Sequence, residues 1–211
     1  SGRGRRGRPW HSPKGSGIWM SILLRPQIHP MSASMLTLVA AMAVYDAISS
    51  RVEGCAIKWP NDIVIDGRKV CGILTEMSSE LDNIHYVVIG IGINVNTDDF
   101  PVDIASVATS MHVITGAYYK RAEIIADIWK AFEKYYDFFV QTENLVLMVD
   151  TYNQRLVNMD RRVMIEERGH QYEGTARGID AEGGLLVERD DGTTTSVISG
   201  EVSVRGILGY V

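Results

Sequence analysis

Residues 63–74 decide the fold, and they read Ile63-Val64-Ile65-Asp66-Gly67-Arg68-Lys69-Val70-Cys71-Gly72-Ile73-Leu74. An Asp-Gly pair between two apolar runs is among the strongest sequence signals for a tight β-hairpin turn, so the segment predicts two antiparallel strands. Lys69 lies in this hairpin just before the second strand, and a lysine is a costly choice at an interior hairpin position that faces a pocket. The alternative is a solvated lysine on an edge strand beside the turn.

Further strands are predicted on both sides of this hairpin. Residues 18–24 form a nearly continuous apolar run, which is typical of a buried strand. Residues 55–59 form a short strand that ends at Pro60, because proline cannot donate to a β-ladder. Residues 86–95 form a strand interrupted by glycines, which allow a ligand or another backbone to approach the sheet.

Helices are predicted where apolar side chains recur at helical spacing. They span residues 34–50, 122–140 and 142–156, with a short one within residues 104–111. Ser32 or Ser34 is available as the N-cap of the first helix.

After residue 158 the pattern changes to short strands separated by turns. The predicted strands are residues 162–167, 171–179, 185–188, 194–198 and 201–205. Five short strands within about 50 residues predict a small β-barrel. The whole chain is therefore predicted to be α+β, with a mixed sheet flanked by helices and a small C-terminal barrel.

Composition limits the classes of function. The chain has 211 residues, of which 45% are hydrophobic and 22% charged, as in an ordinary globular protein. The formal net charge of -5 argues against a protein dedicated to nucleic acid, which needs a broad positive surface. Cys55 and Cys71 are predicted to be buried free thiols in a reducing compartment. No apolar run reaches the roughly 18 residues of a membrane span, so we expect no membrane association and a cytoplasmic location.

The first ten residues alternate arginine with glycine, and they read Ser1-Gly2-Arg3-Gly4-Arg5-Arg6-Gly7-Arg8-Pro9-Trp10. Planar guanidinium groups bind phosphate or carboxylate in bidentate geometry, and glycine amides add donors without side chains in the way. The stretch therefore predicts a loop that folds closely around an anion. The alternative is a disordered basic arm drawn to nucleic acid.

Two further motifs carry polar groups suited to phosphate chemistry. They are Lys58-Trp59-Pro60-Asn61-Asp62 and Gly90-Ile91-Gly92-Ile93-Asn94-Val95-Asn96. Lys58 and Lys69 add positive charge to that of the arginine loop. The oxygens of Asn61 and Asp62 are of the kind that divalent metal ions prefer.

The order of these motifs resembles the catalytic domain of biotin protein ligases, which adenylate biotin and attach it to a lysine of a carboxylase carrier domain. The resemblance is close over about the first 110 residues and holds in pattern only beyond them. It implies a fold like that of class II synthetases and of biotin and lipoate ligases, with a catalytic domain at residues 1–158 and an SH3-like domain at 159–211. It also implies ATP, biotin and Mg²⁺ as ligands and biotinyl-5′-AMP as the intermediate.

The resemblance assigns roles within the arginine loop. The loop residues implied in ligand binding are Gly2, Arg3, Gly4, Arg5 and Arg8. Arg5 is implied as a catalytic residue that contacts the α-phosphate and retains the adenylate, and Arg8 as a contact to the nucleotide phosphates. Trp10 resembles an aromatic residue on which adenine stacks, and its alternative role is to anchor the loop on the sheet.

The resemblance also assigns roles to residues of the sheet. Lys58 is implied as a catalytic contact to the triphosphate, with Asn61 and Asp62 as magnesium ligands. Lys69 is implied to touch the biotin carboxylate and the α-phosphate. The other implied ligand-binding residues are Gly72, Gly90 and Gly92 at the biotin pocket and Asn94 at the adenosine.

The implied partners follow from the same resemblance. They are biotin, a biotin carboxyl carrier protein and a second copy of the chain in a homodimer. The family's catalytic domain normally begins upstream of the arginine loop, so this sequence resembles part of a longer polypeptide. Binding to DNA is expected only if that polypeptide carries an N-terminal helix-turn-helix domain.

Three other functions compete with this interpretation. A lipoate ligase would use the same acyl-adenylate mechanism, but its Arg-Arg-x-x-Gly-Gly-Gly signature is missing from this sequence. A nucleic-acid-binding module could combine the arginine loop with the small barrel, although the net charge of -5 opposes it. A biotin sensor without ligase activity would need neither Lys69 nor the 58–62 cluster, and this chain has both.

Overall fold

The computed structural model describes residues 2–4, 7, 9–81, 83–167, 170–198 and 201–203. A two-stranded ribbon comes first, formed by β1 (Gly2–Arg3) and β2 (Pro9–Trp10). The central sheet consists of β3 (Ile18–Leu24), β4 (Cys55–Lys58), β5 (Asp62–Ile65), β6 (Arg68–Glu80) and β7 (Asn83–Ile93). Its strand order is β3-β7-β6-β5-β4.

Nearly all pairing in the central sheet is antiparallel. Every ladder between its named strands runs antiparallel. The parallel component within the described ranges consists of two isolated bridges, from Ile57 to Leu156 and from Lys69 to Ala108. Both bridges attach later segments of the chain to the strands that surround the predicted site.

The predicted hairpin is confirmed. β5 and β6 are joined by Asp66 and Gly67, whose φ angles of 49° and 75° are the positive values that a type I′ turn requires. β6 extends to Glu80, six residues beyond the predicted end, and forms a second long hairpin with β7. Sequence periodicity missed this extension because it projects beyond the core, where Met77 is 41% exposed.

The helices pack on the sheet with α1 at the centre of the core. They are a 3₁₀ helix at Pro30–Met35, α1 (Leu36–Ser49), α2 (Met111–Thr115), α3 (Arg121–Thr142) and α4 (Val149–Arg155). α1 contacts β4, β5, β6 and β7 as well as α3. By length and composition the stretch Pro30–Ser49 could cross a membrane, but 67% of its apolar window is buried, as in the core helix of a globular protein.

Three predictions about the helices are wrong in detail. Neither Ser32 nor Ser34 caps α1, because the preceding 3₁₀ helix runs directly into it and carries its own cap at His29. The short helix lies at Met111–Thr115 rather than within residues 104–111, since Ser110 accepts a hydrogen bond from the Val113 amide and starts the helix there. The helix predicted at 142–156 is only α4, because Glu143 adopts φ 52° and ends α3.

The C-terminal part forms a second five-stranded sheet, consistent with an SH3-like domain. Its strands are β8 (Arg162–Glu167), β9 (His170–Ile179), β10 (Leu185–Glu188), β11 (Thr194–Val197) and β12 (Glu201–Ser203). The order is β11-β10-β9-β8-β12, with antiparallel ladders throughout. The five predicted strands are confirmed over the described residues. The domain boundary at residues 158 and 159 stays a prediction.

Candidate functional site

One cleft of about 1070 Å³ lies on the central sheet, and its floor consists of glycines on β6 and β7. Gly72, Gly90 and Gly92 line it, while their neighbours Ile73, Ile89 and Ile91 are buried. A strand alternates its side chains between the two faces of a sheet, so the same strands build the core on one face and leave the other open. The glycines lower the floor of the cleft and make room for a ligand.

Trp10 packs against this floor. A Cβ atom added at Gly72 or Gly92 would lie 2.8 Å from the Trp10 ring, so a side chain at either site would require the indole to shift. The Lys69 Nζ atom lies 5.3 Å from the ring centroid, in cation–π geometry. The buried Trp10 Nε1 has no hydrogen-bond partner among the described residues. Trp10 therefore packs on the sheet while pairing with Gly2, and both its stacking on adenine and its alternative role as an anchor of the arginine loop stay predictions.

Lys69 and Asp62 form an ion pair in the cleft, with 2.6 Å between Nζ and Oδ1. The backbone of Lys69 pairs with β5 on one side and with residues 107–109 on the other, through the Lys69 N–H to the Val107 carbonyl and the Thr109 N–H to the Lys69 carbonyl. Lys69 is therefore an interior position that faces a pocket. The alternative of a solvated edge lysine is wrong because residues 107–109 cover that edge.

Lys58 is 6% exposed and lines the same cleft. Burial lowers the pKa of its amine from 10.5 to about 8, while Asp62 raises that pKa and Lys69 lowers it further. Lys58 and Asp62 are directly opposite each other in the β4–β5 ladder, joined by the turn at residues 59–61. This placement concentrates two lysines and one carboxylate at one end of the cleft.

The predicted metal ligands lie beside these lysines. Asn61 and Asp62 both line the cleft, and the Asn61 Nδ2 group donates to the Ile73 carbonyl at 3.0 Å. Among the described residues no group of three His, Cys, Asp or Glu side chains could hold a metal. One carboxylate and one amide oxygen still suit Mg²⁺, which commonly takes its other ligands from water and substrate phosphates. The magnesium site stays a prediction.

Asn94 follows the end of β7 and is 4% exposed. Its Nδ2 group donates to the Thr109 carbonyl at 3.1 Å, and its carbonyl accepts from the Met111 amide. Asn94 therefore holds the segment before α2 against the sheet while also lining the cleft. Its contact with adenosine stays a prediction.

The arginine loop is described only in part. Gly2 and Gly4 line the cleft, and Gly2 pairs with Trp10 in the β1–β2 ribbon. Arg3 lies in β1, but its side chain is outside the described residues. Arg5 and Arg8 also lie outside the described residues. The predicted contacts of these arginines with phosphate stay predictions.

Sequence reasoning missed a wall of the cleft. Phe100, Ile104 and Val107 line it from a segment for which the sequence predicted only a short helix within residues 104–111. The rings of Phe100 and His11 have centroids 6.3 Å apart, so this segment meets the end of the arginine loop. The one available sequence signal was an aromatic residue within a polar stretch.

Comparisons with known proteins identify relatives of both parts of the chain. The model of the Biotin/lipoate A/B protein ligase family matches residues 1–94, and that of the Biotin protein ligase C terminal domain matches residues 159–205. The chain is 31% identical over 209 residues to "Biotin--[acetyl-CoA-carboxylase] ligase" of Mycobacterium tuberculosis, covering 96% of this chain and 74% of that protein.

Two further relatives extend the comparison. "Bifunctional ligase/repressor BirA" of Bacillus spizizenii is 42% identical over 195 residues, which are 91% of this chain and 60% of that protein. The chain thus spans about three fifths of the length of such curated relatives. A structure titled "Biotin protein ligase from Aquifex aeolicus in complex with biotin and ATP" superimposes with a TM-score of 0.83 at 29% identity, covering 96% of this chain and 84% of that one.

Proposed function

This chain belongs to the biotin protein ligase family, and we propose that it activates biotin with ATP and transfers the biotinyl group to a lysine of a biotin carboxyl carrier protein. In the first step a carboxylate oxygen of biotin attacks the α-phosphorus of ATP, and the bond to pyrophosphate breaks. In the second step the neutral lysine amine attacks the acyl carbon of biotinyl-5′-AMP, and the bond from that carbon to the phosphate oxygen breaks. AMP leaves, and the new amide nitrogen gives up a proton to water. Neither step needs a covalent enzyme nucleophile.

The observation that carries this proposal is the pairing of a cationic wall with a glycine floor in one cleft. Lys58 and Lys69 line the cleft above Gly72 and Gly92. Negative charge accumulates on the phosphate oxygens as pyrophosphate leaves, and fixed cations stabilise it without rearranging. We assign Lys69 to the biotin carboxylate and α-phosphate and Lys58 to the triphosphate.

Mg²⁺ fits this proposal as a second source of positive charge. Asn61 and Asp62 would hold it, and the ion would neutralise charge on the departing phosphates when bound. The protein's own part is to keep Asp62 beside Lys69, at 2.6 Å, so that the carboxylate keeps one orientation.

A biotin-dependent ATP–pyrophosphate exchange assay tests the first step, and labelling of a purified carrier domain tests the second. The proposal expects exchange that requires both biotin and this chain. Lipoate in place of biotin is the matched arm, because a lipoate ligase shares the fold and the chemistry. Exchange with lipoate but not with biotin would contradict the proposal.

The C-terminal domain offers little support for the nucleic-acid alternative. Arg162 is paired with Asp190 and Glu173, and Arg177 with Asp160 and Glu188. These carboxylates neutralise both arginines, so this part of the surface has no excess positive charge to attract a phosphate backbone.

The pH dependence of ATP use should report the Lys58 amine. Because burial lowers its pKa to about 8, the ammonium is lost as pH rises through that value, and kcat/KM for ATP should fall above pH 8. Lys58→Arg keeps its charge throughout and should move the falling limb to higher pH. An unchanged limb in Lys58→Arg would exclude Lys58 as its source.

The free energy of unfolding depends on pH in a different way from kcat/KM for ATP. The unfolded chain keeps the Lys58 proton up to about its ordinary pKa of 10.5, so between pH 8 and 10.5 the unfolded state binds more protons than the folded state. The Lys58 contribution to the free energy of unfolding therefore increases with pH. A thermal unfolding series over the same pH range separates the two effects.

Arg5→Ala should leave the fold intact and raise the release of biotinyl-5′-AMP by about tenfold, since one charge-assisted contact to the adenylate is lost. Rapid quench measurements of free and bound adenylate in the variant and the parent give this rate. Equal rates of release would remove Arg5 from its assigned role.

The remaining partners are proposed on the same basis. We propose a homodimer, supported by the position of β3 at the outer edge of the central sheet, where Leu23 is 56% exposed. Cytoplasmic location is supported by the free thiols of Cys55 and Cys71. DNA binding is proposed only for a longer polypeptide that carries a helix-turn-helix domain.

A further inference from the structure

The turn at residues 59–61 determines where the phosphate-binding groups point. It joins Lys58 at the end of β4 to Asp62 at the start of β5. On the side of β6 the turn is fixed by Asn61, whose carbonyl accepts from the Ile73 amide at 2.8 Å and whose Nδ2 group donates to the Ile73 carbonyl. These bonds hold one end of the turn and leave Trp59 to be fixed from elsewhere.

Trp59 is fixed by residues about one hundred positions later in the chain. Its backbone N–H donates to the Asn158 Oδ1 atom at 3.0 Å, and its indole Nε1–H donates to the Gly183 carbonyl at 3.0 Å. Both bonds are buried, with Trp59 2% and Asn158 0% exposed. A buried N–H that loses its acceptor carries the full cost of desolvation, so the turn is held strongly in this position.

The segment before Asn158 is part of the same attachment. The Val157 amide donates to the Ile57 carbonyl at 2.9 Å, and Leu156 forms a parallel bridge with Ile57. Residues 156–158 link α4 to the C-terminal domain, and they therefore extend the sheet beyond β4. They lie directly beside the strand that carries Lys58. Gly183 lies between β9 and β10 of the C-terminal domain.

We propose that Asn158 is a positioning residue for the binding of ATP. Together with the Gly183 carbonyl, Asn158 holds Trp59 in place. The turn then keeps Lys58, Asn61 and Asp62 facing the cleft. The inference rests on the proposed function, since it gives the 58–62 cluster its ligand. It makes the hydrogen bonds of Trp59 to Asn158 and Gly183 part of what orients the phosphate site. Small displacements of positioned groups can lower a rate by as much as about 10²-fold. A modest shift of the turn is therefore enough to weaken the use of ATP measurably.

Asn153 provides a matched control. It lies in α4, and its Oδ1 atom accepts from the Ile179 amide of the C-terminal domain at 2.8 Å. Asn153→Ala thus removes an amide side chain from the same link and loses a contact to the same domain. It leaves the two hydrogen bonds of Trp59 in place.

Steady-state kinetics of the 211-residue chain test the inference. Asn158→Ala should raise KM for ATP about tenfold and leave KM for biotin near that of the parent, a difference of about 1.4 kcal/mol in ATP affinity. Asn153→Ala should change KM for ATP by less than about twofold, although both variants lower the thermal midpoint. Trp59→Phe, which removes the indole N–H together with part of the buried ring system, should raise KM for ATP in the same direction.

A second readout does not depend on catalysis. The side-chain amide resonances of Asn61 and the backbone amide resonance of Asp62 report the position of the turn. They should shift in Asn158→Ala, because the turn relaxes when the Trp59 N–H loses its acceptor. In Asn153→Ala they should stay near the parent positions, because both hydrogen bonds of Trp59 remain.

The outcomes separate the inference from the proposed function. Unshifted Asn61 and Asp62 resonances in folded Asn158→Ala would overturn the positioning role, whether or not the chain is a ligase. Equal changes of KM for ATP in Asn158→Ala and Asn153→Ala would overturn it as well, since they would report general destabilisation. Shifted Asn61 and Asp62 resonances in Asn158→Ala, together with no biotin-dependent exchange by the parent chain, would support the positioning role and count against the proposed function.

Discussion

Lys69→Ala should lower kcat for biotin-dependent pyrophosphate exchange by about 10²–10³-fold, the loss typical of removing one preorganised group that stabilises transition-state charge. Lys69 lies 2.6 Å from Asp62, so the variant also leaves the negative charge of Asp62 facing the phosphates. Both effects act on the same developing charge at the α-phosphorus. Initial rates at saturating ATP and biotin measure the loss.

The Lys69 experiment needs a control for folding and one for net charge. Thermal unfolding of the variant reports whether the loss of the ion pair disturbs the fold, because one partner of a largely buried pair is removed. Lys120→Ala is the charge control. Lys120 is exposed and paired with Glu123 at 3.2 Å, so its removal should change kcat by less than about twofold. Parent-like exchange by a folded Lys69→Ala variant would remove Lys69 from catalysis.

Gly92→Ala should weaken biotin binding by about 10–100-fold, the equivalent of the 1–3 kcal/mol that overpacking usually costs. The added methyl group would lie 2.8 Å from the Trp10 indole, on the floor of the cleft. In the protein alone the indole can move away, since it is a side chain at the end of a short ribbon. A ligand packed into the cleft has no such freedom, so the cost falls on binding. Isothermal titration with biotin measures it.

Gly90→Ala is the matched substitution two residues earlier on the same strand. A Cβ atom there would find its nearest neighbour, the Leu74 carbonyl oxygen, at an ordinary contact distance of 3.6 Å. We therefore expect a smaller loss of affinity than at Gly92, and thermal midpoints of both variants close to the parent. Equal affinity of Gly92→Ala and the parent for biotin would show that the ligand does not use this part of the floor.

Local signals in the sequence predicted most of the elements. The prediction of the Asp66-Gly67 turn is confirmed because its two positive φ angles depend on those two residues alone. The prediction of a helix at 142–156 is wrong because Glu143 adopts the αL conformation and ends α3. A glutamate gives no strong sequence signal for that conformation. The extension of β6 beyond residue 74 was not predicted, because its polar residues pair with β7 outside the core.

The sequence by itself determined which chemical groups this protein has, since Lys58, Asp62, Lys69 and the glycines of β6 and β7 are legible as ordered motifs. Only the tertiary structure decided how they meet. The Lys69–Asp62 ion pair joins neighbouring strands, and residues 107–109 form hydrogen bonds with the Lys69 backbone. Trp59 donates hydrogen bonds to Asn158 and Gly183. A sequence pattern encodes short-range preferences of the backbone, whereas these contacts join segments up to 124 residues apart and form only when the core and both sheets have packed.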